Sequence, residues 1–280
     1  YPKAAASLTA AVEADPTDPR PFTELDEVAE VAGVSLEKRL AILEKNAATV
    51  ARRDDALLRH VGLCLLAGRY DRALTLLADH RFRRWEGENG PHTMYVDAHL
   101  LRGQRHLDAK QFAEARQDFL AALEYPENFE TGRPLHGGPK TAEIEYLLGV
   151  TSEALGKPAE ARRHFEQAVA AGAESLPIRY YDALAQRKLG NEAAAQKTLD
   201  ALVRAGTETL DSLKRGPRTD FFGIFGTNQA PALQAAEAHY LIGLGLLGKG
   251  RAAEAQAEFQ KAVMLNPNHL GAKTSLAHGA

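Results

Sequence analysis

The sequence predicts an all-α fold, a right-handed α-solenoid of helix hairpins with three inserts along one edge. Three observations lead there. Small residues and phenylalanines recur with a fixed internal spacing. The recurrence has a period of 34 residues, enough for two helices and a turn. The composition over 280 residues, 45% hydrophobic and 25% charged, is that of a globular chain and excludes disorder and collagen-like structure.

The spacing is clearest near the end. Gly243 is followed by Gly250, Ala255, Phe259, Ala262 and Pro267. Gly149, Gly156, Ala161, Phe165 and Ala168 repeat it, as do Gly103, Ala115, Phe119 and Ala122. Ala195, Leu199 and Leu202 follow Ala161, Phe165 and Ala168 by 34 residues, and Ala73 and Leu77 give a weaker copy after Gly68. This pattern resembles the tetratricopeptide repeat, a helix–turn–helix unit of 34 residues. The small residues at positions 8 and 20 admit close helix approach, and the ring at position 24 fills the gap between paired helices. Pro267, at position 32, ends the second helix because a residue before proline avoids the helical region.

Each element follows in order. Ala4, Leu8, Ala11 and Pro16 hold the mutual spacing of Ala255, Phe259, Ala262 and Pro267, so the chain is expected to begin at a helix B whose helix A is absent, as a fragment of a longer protein would. Phe22, Leu25 and Ala29 form a helix after Asp18-Pro19, a cap and first-turn pair. Leu36, Leu40, Leu43, Ala47 and Val50 make an apolar stripe opened by Ser35 as cap. Residues 1–50 are thus degenerate repeats. Five phased repeats start at Asp54, Val96, Ala142, Leu176 and Ala236, and a helix from about Asn268 closes a single solenoid spanning 1–280.

Interruptions mark the inserts. From 54 a strict period reaches 88, yet the next start is 96; from 96 it reaches 130 against 142; from 176 it reaches 210 against 236. All three fall between one repeat's helix B and the next helix A, so they are expected to crowd one rim. They carry Trp85, Glu86, Arg133, His136, Phe221 and Phe222, with a helical extension through Leu210 and Leu213. Loops bearing such aromatics either seal helix ends or recognise a partner. These six residues form one candidate binding surface.

Helix-A positions 2 and 5 give the second, concave candidate. Position 5 reads Leu58, Leu100, Tyr146, Tyr180 and Tyr240; position 2 includes Asp97, Glu143 and Glu237. Tyrosine offers stiff contact area with a polar tip, for peptides or sugar rings, while the acids favour cations. The same acids stabilise a helix first turn, and the tyrosines also pack between helices.

The segments Trp85-Glu86-Gly87, Tyr95 to Gly103, Ala122 to Asn128 with Gly132-Arg133-Pro134, and His239 to Gly248 resemble the C-terminal helical region of large bacterial proteins. In that family the repeats follow an N-terminal β-sandwich region similar to galactose mutarotase. The resemblance spans most of the chain after about Leu36 and implies a carbohydrate-associated role for the whole protein.

Other chemistry is not encoded. A net charge of −3 gives no nucleic-acid footprint. The apolar run Tyr240 to Leu247 is too short to span a bilayer. Cys64 alone excludes a disulfide framework and reads as a small buried hydrophobe; it is compatible with a reducing, cytoplasmic compartment. His99 and His239 share repeat position 4, a packing position, and no histidine cluster has metal spacing. No P-loop, dinucleotide fingerprint or nucleophile elbow is present. The expectation is therefore a non-catalytic scaffold, without cofactor or metal, that binds a protein or a neighbouring domain of its own polypeptide. The alternative is an accessory part of a carbohydrate-acting enzyme, with Glu86, Arg133 or His136 reaching a sugar.

Overall fold

The computed structural model describes residues 1–83, 90–134, 138–172, 175–215 and 230–278. Among these every regular element is helical, in two compact units, 1–134 and 135–280.

The first unit holds α1 (Pro2–Ala14), α2 (Pro21–Val31), α3 (Leu36–Lys45), the short α4 (Ala47–Val50), α5 (Asp54–Leu66), α6 (Tyr70–Ala78), α7 (Gly90–Asp108) and α8 (Phe112–Ala121). The second holds α9 (Thr141–Ala154), α10 (Pro158–Ala171), α11 (Arg179–Lys188), α12 (Glu192–Arg215), α13 (Pro231–Gly248), α14 (Ala252–Leu265) and α15 (Leu270–Ala277). The phased repeats become the pairs α5/α6, α7/α8, α9/α10, α11/α12 and α13/α14, each packed helix on helix.

One turn geometry joins every pair. The residue at position 15 takes a left-handed conformation in all five: Gly68, Lys110, Gly156, Gly190 and Gly250. The next amide then bonds five residues back, as Arg69 N–H to the Cys64 carbonyl at 2.8 Å and Arg251 N–H to Leu246 at 3.0 Å. This is the Schellman closure, which satisfies carbonyls orphaned at the helix end. Lys110 alone makes it without glycine.

Packing confirms the role of the small positions. Ala73, Ala115, Ala161, Ala195 and Ala255 are at most 1% exposed. A Cβ on Gly103, Gly149 or Gly243 would lie 2.5, 2.4 or 2.3 Å from the Phe119, Phe165 or Phe259 ring of the same hairpin. Where position 24 is leucine, position 8 grows: Val61 accompanies Leu77 and Ala183 accompanies Leu199, all fully buried. The two positions share one volume, as close-packed interiors require.

A polar couple recurs beside them. His99 Nδ1 meets Asp118 at 2.8 Å, His164 Nδ1 meets Glu145 at 2.7 Å and His239 Nδ1 meets Glu258 at 2.6 Å. Positions 4 and 23 carry these pairs, with the sense reversed in α9/α10. Burial raises Asp118, but hydrogen bonds from His99 and Arg102 outweigh it and hold the carboxyl below its usual range. His99 and His239 are packing residues, as position 4 implies.

Three local expectations are corrected. α2 starts after Arg20, with Pro21 in its first turn, because Asp18 accepts the Arg20 N–H at 3.0 Å and binds its guanidinium instead of capping a helix at Pro19. Ser35 occupies the N-cap site of α3, yet its hydroxyl accepts no cap bond. α7 begins six residues before Val96, since a proline in the first turn gives up only an amide with no helical partner. The expected extension of α12 runs through Leu210 and Leu213 to Arg215.

α5 carries a second buried polar group. His60 is 0% exposed, and neither ring nitrogen has a protein partner. Burial, helped by the Arg72 charge, lowers its pKa from 6.5 to about 4. The unfolded chain therefore binds the proton that the fold excludes, so stability is full above pH 6.5 and is lost as pH falls towards 4. Urea titrations across this window are expected to show the midpoint falling with pH in the native chain, and a fall reduced by about one proton in His60→Leu. Equal pH slopes for the two chains would contradict the assignment. Nearby, burial pushes the Cys64 thiol up to about 11, consistent with an inert hydrophobe.

Candidate functional site

The first two inserts meet within the first unit. The Phe82 N–H donates to the Asn128 carbonyl at 2.8 Å, and the Asn128 amide donates to the Leu77 and His80 carbonyls. Phe82 and Phe129, both buried, pack edge to face at 5.8 Å, and Arg81 pairs with Glu130. Asp54, opening α5, fastens the first insert through His80 and the Arg83 N–H. These two inserts share one border, and their described aromatics seal helix ends. At the edge of this seam His92 stacks on Tyr125 at 3.9 Å while Arg133 lies over the same ring at 5.6 Å and pairs with Glu124. Arg133 is exposed; Trp85, Glu86, His136, Phe221 and Phe222 lie outside the described residues. Tyr125 and His92 belong to the two inserts marked out by the sequence, but their stacking on each other leaves no periodic signal there.

The concave candidates divide between the units. Asp97 stands half-buried on α7 in the first unit, where position 5 is buried Leu100. Glu143, Tyr146, Tyr180, Glu237 and Tyr240 all belong to the second. There α9 packs on α11 and α11 on α13, so three helices A lie side by side. Tyr146 packs against Tyr181 at 5.9 Å and Tyr181 against Tyr180 at 5.3 Å. The Tyr181 hydroxyl donates to the buried Glu143 carboxylate. Tyr146 and Tyr240 also rest on Phe165 and Phe259, the position-24 rings of their own hairpins. Burial raises all four phenols, Tyr146 to about 12, so they stay neutral donors at physiological pH.

α15 completes this surface. Tyr240 packs on His269 at 4.7 Å and shares a hydrogen bond with Ser275. Gly271 lets α15 approach, since a Cβ there would lie 2.6 Å from the Tyr240 hydroxyl. His269 caps α15 by accepting the Ala272 N–H at 3.2 Å on Nδ1, while Nε2 meets Glu237 at 3.1 Å. That acceptor role requires the tautomer protonated on Nε2. Tyr181 and His269 are the members that sequence reading missed. Tyr181 stands at position 6, where Leu101, Leu147 and Leu241 stand in other repeats, and that departure was its only signal. The result is an aromatic face with neutral phenols and two carboxylates. Glu237, with 47% of its side chain exposed, is the more accessible. Among the described residues no group of three or more histidine, cysteine or acidic side chains is placed to hold a metal, and no helix is long and apolar enough to cross a membrane.

A family model described as the tetratricopeptide repeat matches residues 236–269, which take in most of α13 and all of α14. Among solved structures, the chain is similar to a tetratricopeptide repeat protein from Parabacteroides merdae ATCC 43184, at 17% identity and a TM-score of 0.46, over 98% of this chain and 90% of that one. YrrB, described as a TPR protein with an unusual peptide-binding site, matches at 17% identity and a TM-score of 0.25, over 98% and 99%. Pseudomonas aeruginosa pilF matches at 15% identity and a TM-score of 0.36, over 92% and 96%. The hairpin of α13 and α14, with Gly243 against Phe259 and the left-handed turn at Gly250, is the part of the chain that the tetratricopeptide repeat model matches.

Proposed function

We propose that this chain is a non-catalytic interaction module that holds a protein segment, from a neighbouring domain of its own polypeptide, on the helix-A face of its second unit. The observation that supports this reading is the run of Tyr146, Tyr181, Tyr180 and Tyr240 across three adjacent helices, flanked by Glu143 and Glu237. Rigid phenols supply contact area at low entropic cost, and the carboxylates favour lysine or arginine on the partner. The seam carrying Arg133 is a second contact in this reading; Trp85, Glu86, His136, Phe221 and Phe222, the other insert residues expected to bind, lie outside the described residues.

The alternative, an accessory segment of a carbohydrate-acting enzyme, draws on Glu86 and His136, outside the described residues, and on Arg133, which is engaged with Glu124 and Tyr125. The tyrosine face has the better structural support. Glu237→Lys reverses its accessible charge without removing a ring. Binding to the upstream region of the same polypeptide, measured by calorimetry, is expected to weaken at least about tenfold, or 1.4 kcal/mol, with helicity unchanged. Unaltered affinity in that variant would rule out this face as the contact.

A further inference from the structure

α5 buries two groups whose chemistry the packing does not use. His60 and Cys64 are both 0% exposed. They stand four residues apart, and in a helix residues i and i+4 lie on one face, the later side chain tilted back over the earlier. The same three charged side chains act on both: Glu44 at the end of α3, and Arg69 and Arg72 at the start of α6. Glu44 and Arg69 bind each other at 2.5 Å. Packing alone does not call for an imidazole here, since His60 occupies position 7, where other repeats have Leu148 and Ile242. Neither ring nitrogen has a hydrogen-bond partner among the described residues. A buried polar ring left so is costly and asks for a reason. Coordination to a metal would use its lone pair and the sulfur one turn away together.

We infer that His60 and Cys64 form a two-coordinate site for a soft monovalent cation, copper(I), held between an imidazole nitrogen and the Cys64 Sγ. Thiolate is a soft ligand and imidazole also takes copper, so this ion suits both. Among the described residues no set of three histidine, cysteine or acidic side chains is placed to hold a metal, which leaves a structural zinc short of its four ligands. Binding forms an S–Cu and an N–Cu bond, breaks the S–H bond and releases one proton to solvent; copper keeps its oxidation state. The thiolate and the monovalent cation cancel, so the buried pocket stays neutral. A divalent ion would leave a net positive charge near Arg69 and Arg72. Without the metal the thiol is protonated, because burial pushes it up to about 11, and His60 is neutral above about 4. Such a thiol is inert to electrophiles, yet a soft cation can take the place of its proton. This inference is independent of the tyrosine face, which lies in the other unit.

The test titrates the chain with copper(I) under anaerobic conditions, in competition with a chromophoric copper(I) chelator. Cys64 is the only cysteine, so a thiolate-to-copper ultraviolet band has one possible source. One cation per chain is expected, with a higher melting temperature once loaded, because the folded state binds and holds it. Cys64→Ser is expected to abolish the band. His60→Leu installs the aliphatic residue that position 7 carries in α9, and is expected to keep its helicity while binding at least about a hundredfold more weakly. Affinity of the native chain is expected to rise about tenfold per pH unit from 5 to 9, one proton leaving per cation. Equal affinity in His60→Leu and the native chain would overturn the site, as would a melting temperature that falls on loading. A rise of about a hundredfold per unit below pH 6.5 would put an ordinary solvated imidazole on the metal instead of His60, and would overturn it too.

Discussion

Replacing Arg39 by alanine is expected to destabilise the first unit by about 3–5 kcal/mol, the cost of breaking a buried ion pair by removing one partner. Arg39, on α3, donates from Nε and Nη2 to the two oxygens of Asp26 at 2.8 and 2.9 Å and from Nη2 to Glu30 at 2.9 Å. Arg59 on α5 also binds Asp26, at 2.6 Å from Nε, and Glu30. Both Arg39 and Asp26 have side chains at most 3% exposed. The network ties α2, α3 and α5 together. Removing Arg39 leaves Asp26 buried with one cation where it had two.

The rest of the chain shows how to relieve that loss. Counting 34 residues back from Asp54 places Arg39 at position 20, where the five phased repeats have alanine, and Asp26 at position 7, where Leu148 and Ile242 stand. Arg39→Ala with Asp26→Leu converts the site to the apolar pair found in the hairpins α9/α10 and α13/α14, Ala161 with Leu148 and Ala255 with Ile242. Urea unfolding is expected to show the double variant recovering more than half of the single variant's loss. A double variant no more stable than Arg39→Ala would mean that the network holds the fold by something other than mutual neutralisation.

The second large effect is at position 8. Gly149→Val is expected to cost about 3 kcal/mol, because any Cβ there falls within 2.4 Å of a Phe165 ring that is itself 2% exposed and cannot retreat. Phe165→Leu alone leaves a cavity and costs about 1–2 kcal/mol, since only part of the ring volume is lost. Together they reproduce the Val61/Leu77 pair of α5/α6. The double variant is expected to be more stable than Gly149→Val alone, a favourable coupling of about 1–3 kcal/mol in a double-mutant cycle. Strict additivity of the two losses would refute a shared volume.

Much of this is legible in the sequence. Ala115, Phe119, Ala161, Phe165, Ala255 and Phe259 recur because one packing problem is solved repeatedly, so the sequence repeats with the solution. The unique solutions left no such trace. Arg39 and Asp26 lie 13 residues apart and Arg59 lies 33 from Asp26, and no period links them. Gly90-Pro91 falls in the first insert, yet it opens α7 because the first turn of a helix needs no amide donor. For the site, Tyr146, Tyr180 and Tyr240 were marked by shared position, whereas Tyr181 and His269 join them through tertiary packing on α11 and α15. The tyrosines also bear on neighbouring rings of their own hairpins, so contact area for a partner and hairpin packing draw on the same residues.

The central claim is that helix A and helix B of each repeat meet in one register, with position 8 against position 24. Nuclear Overhauser contacts between the glycine α-protons and phenylalanine ring protons test it directly. Cross-peaks are expected for Gly103 with Phe119, Gly149 with Phe165, and Gly243 with Phe259 in the intact chain. Absence of these three while the helices remain formed, or cross-peaks from these glycines to the phenylalanine of a different hairpin, would contradict it.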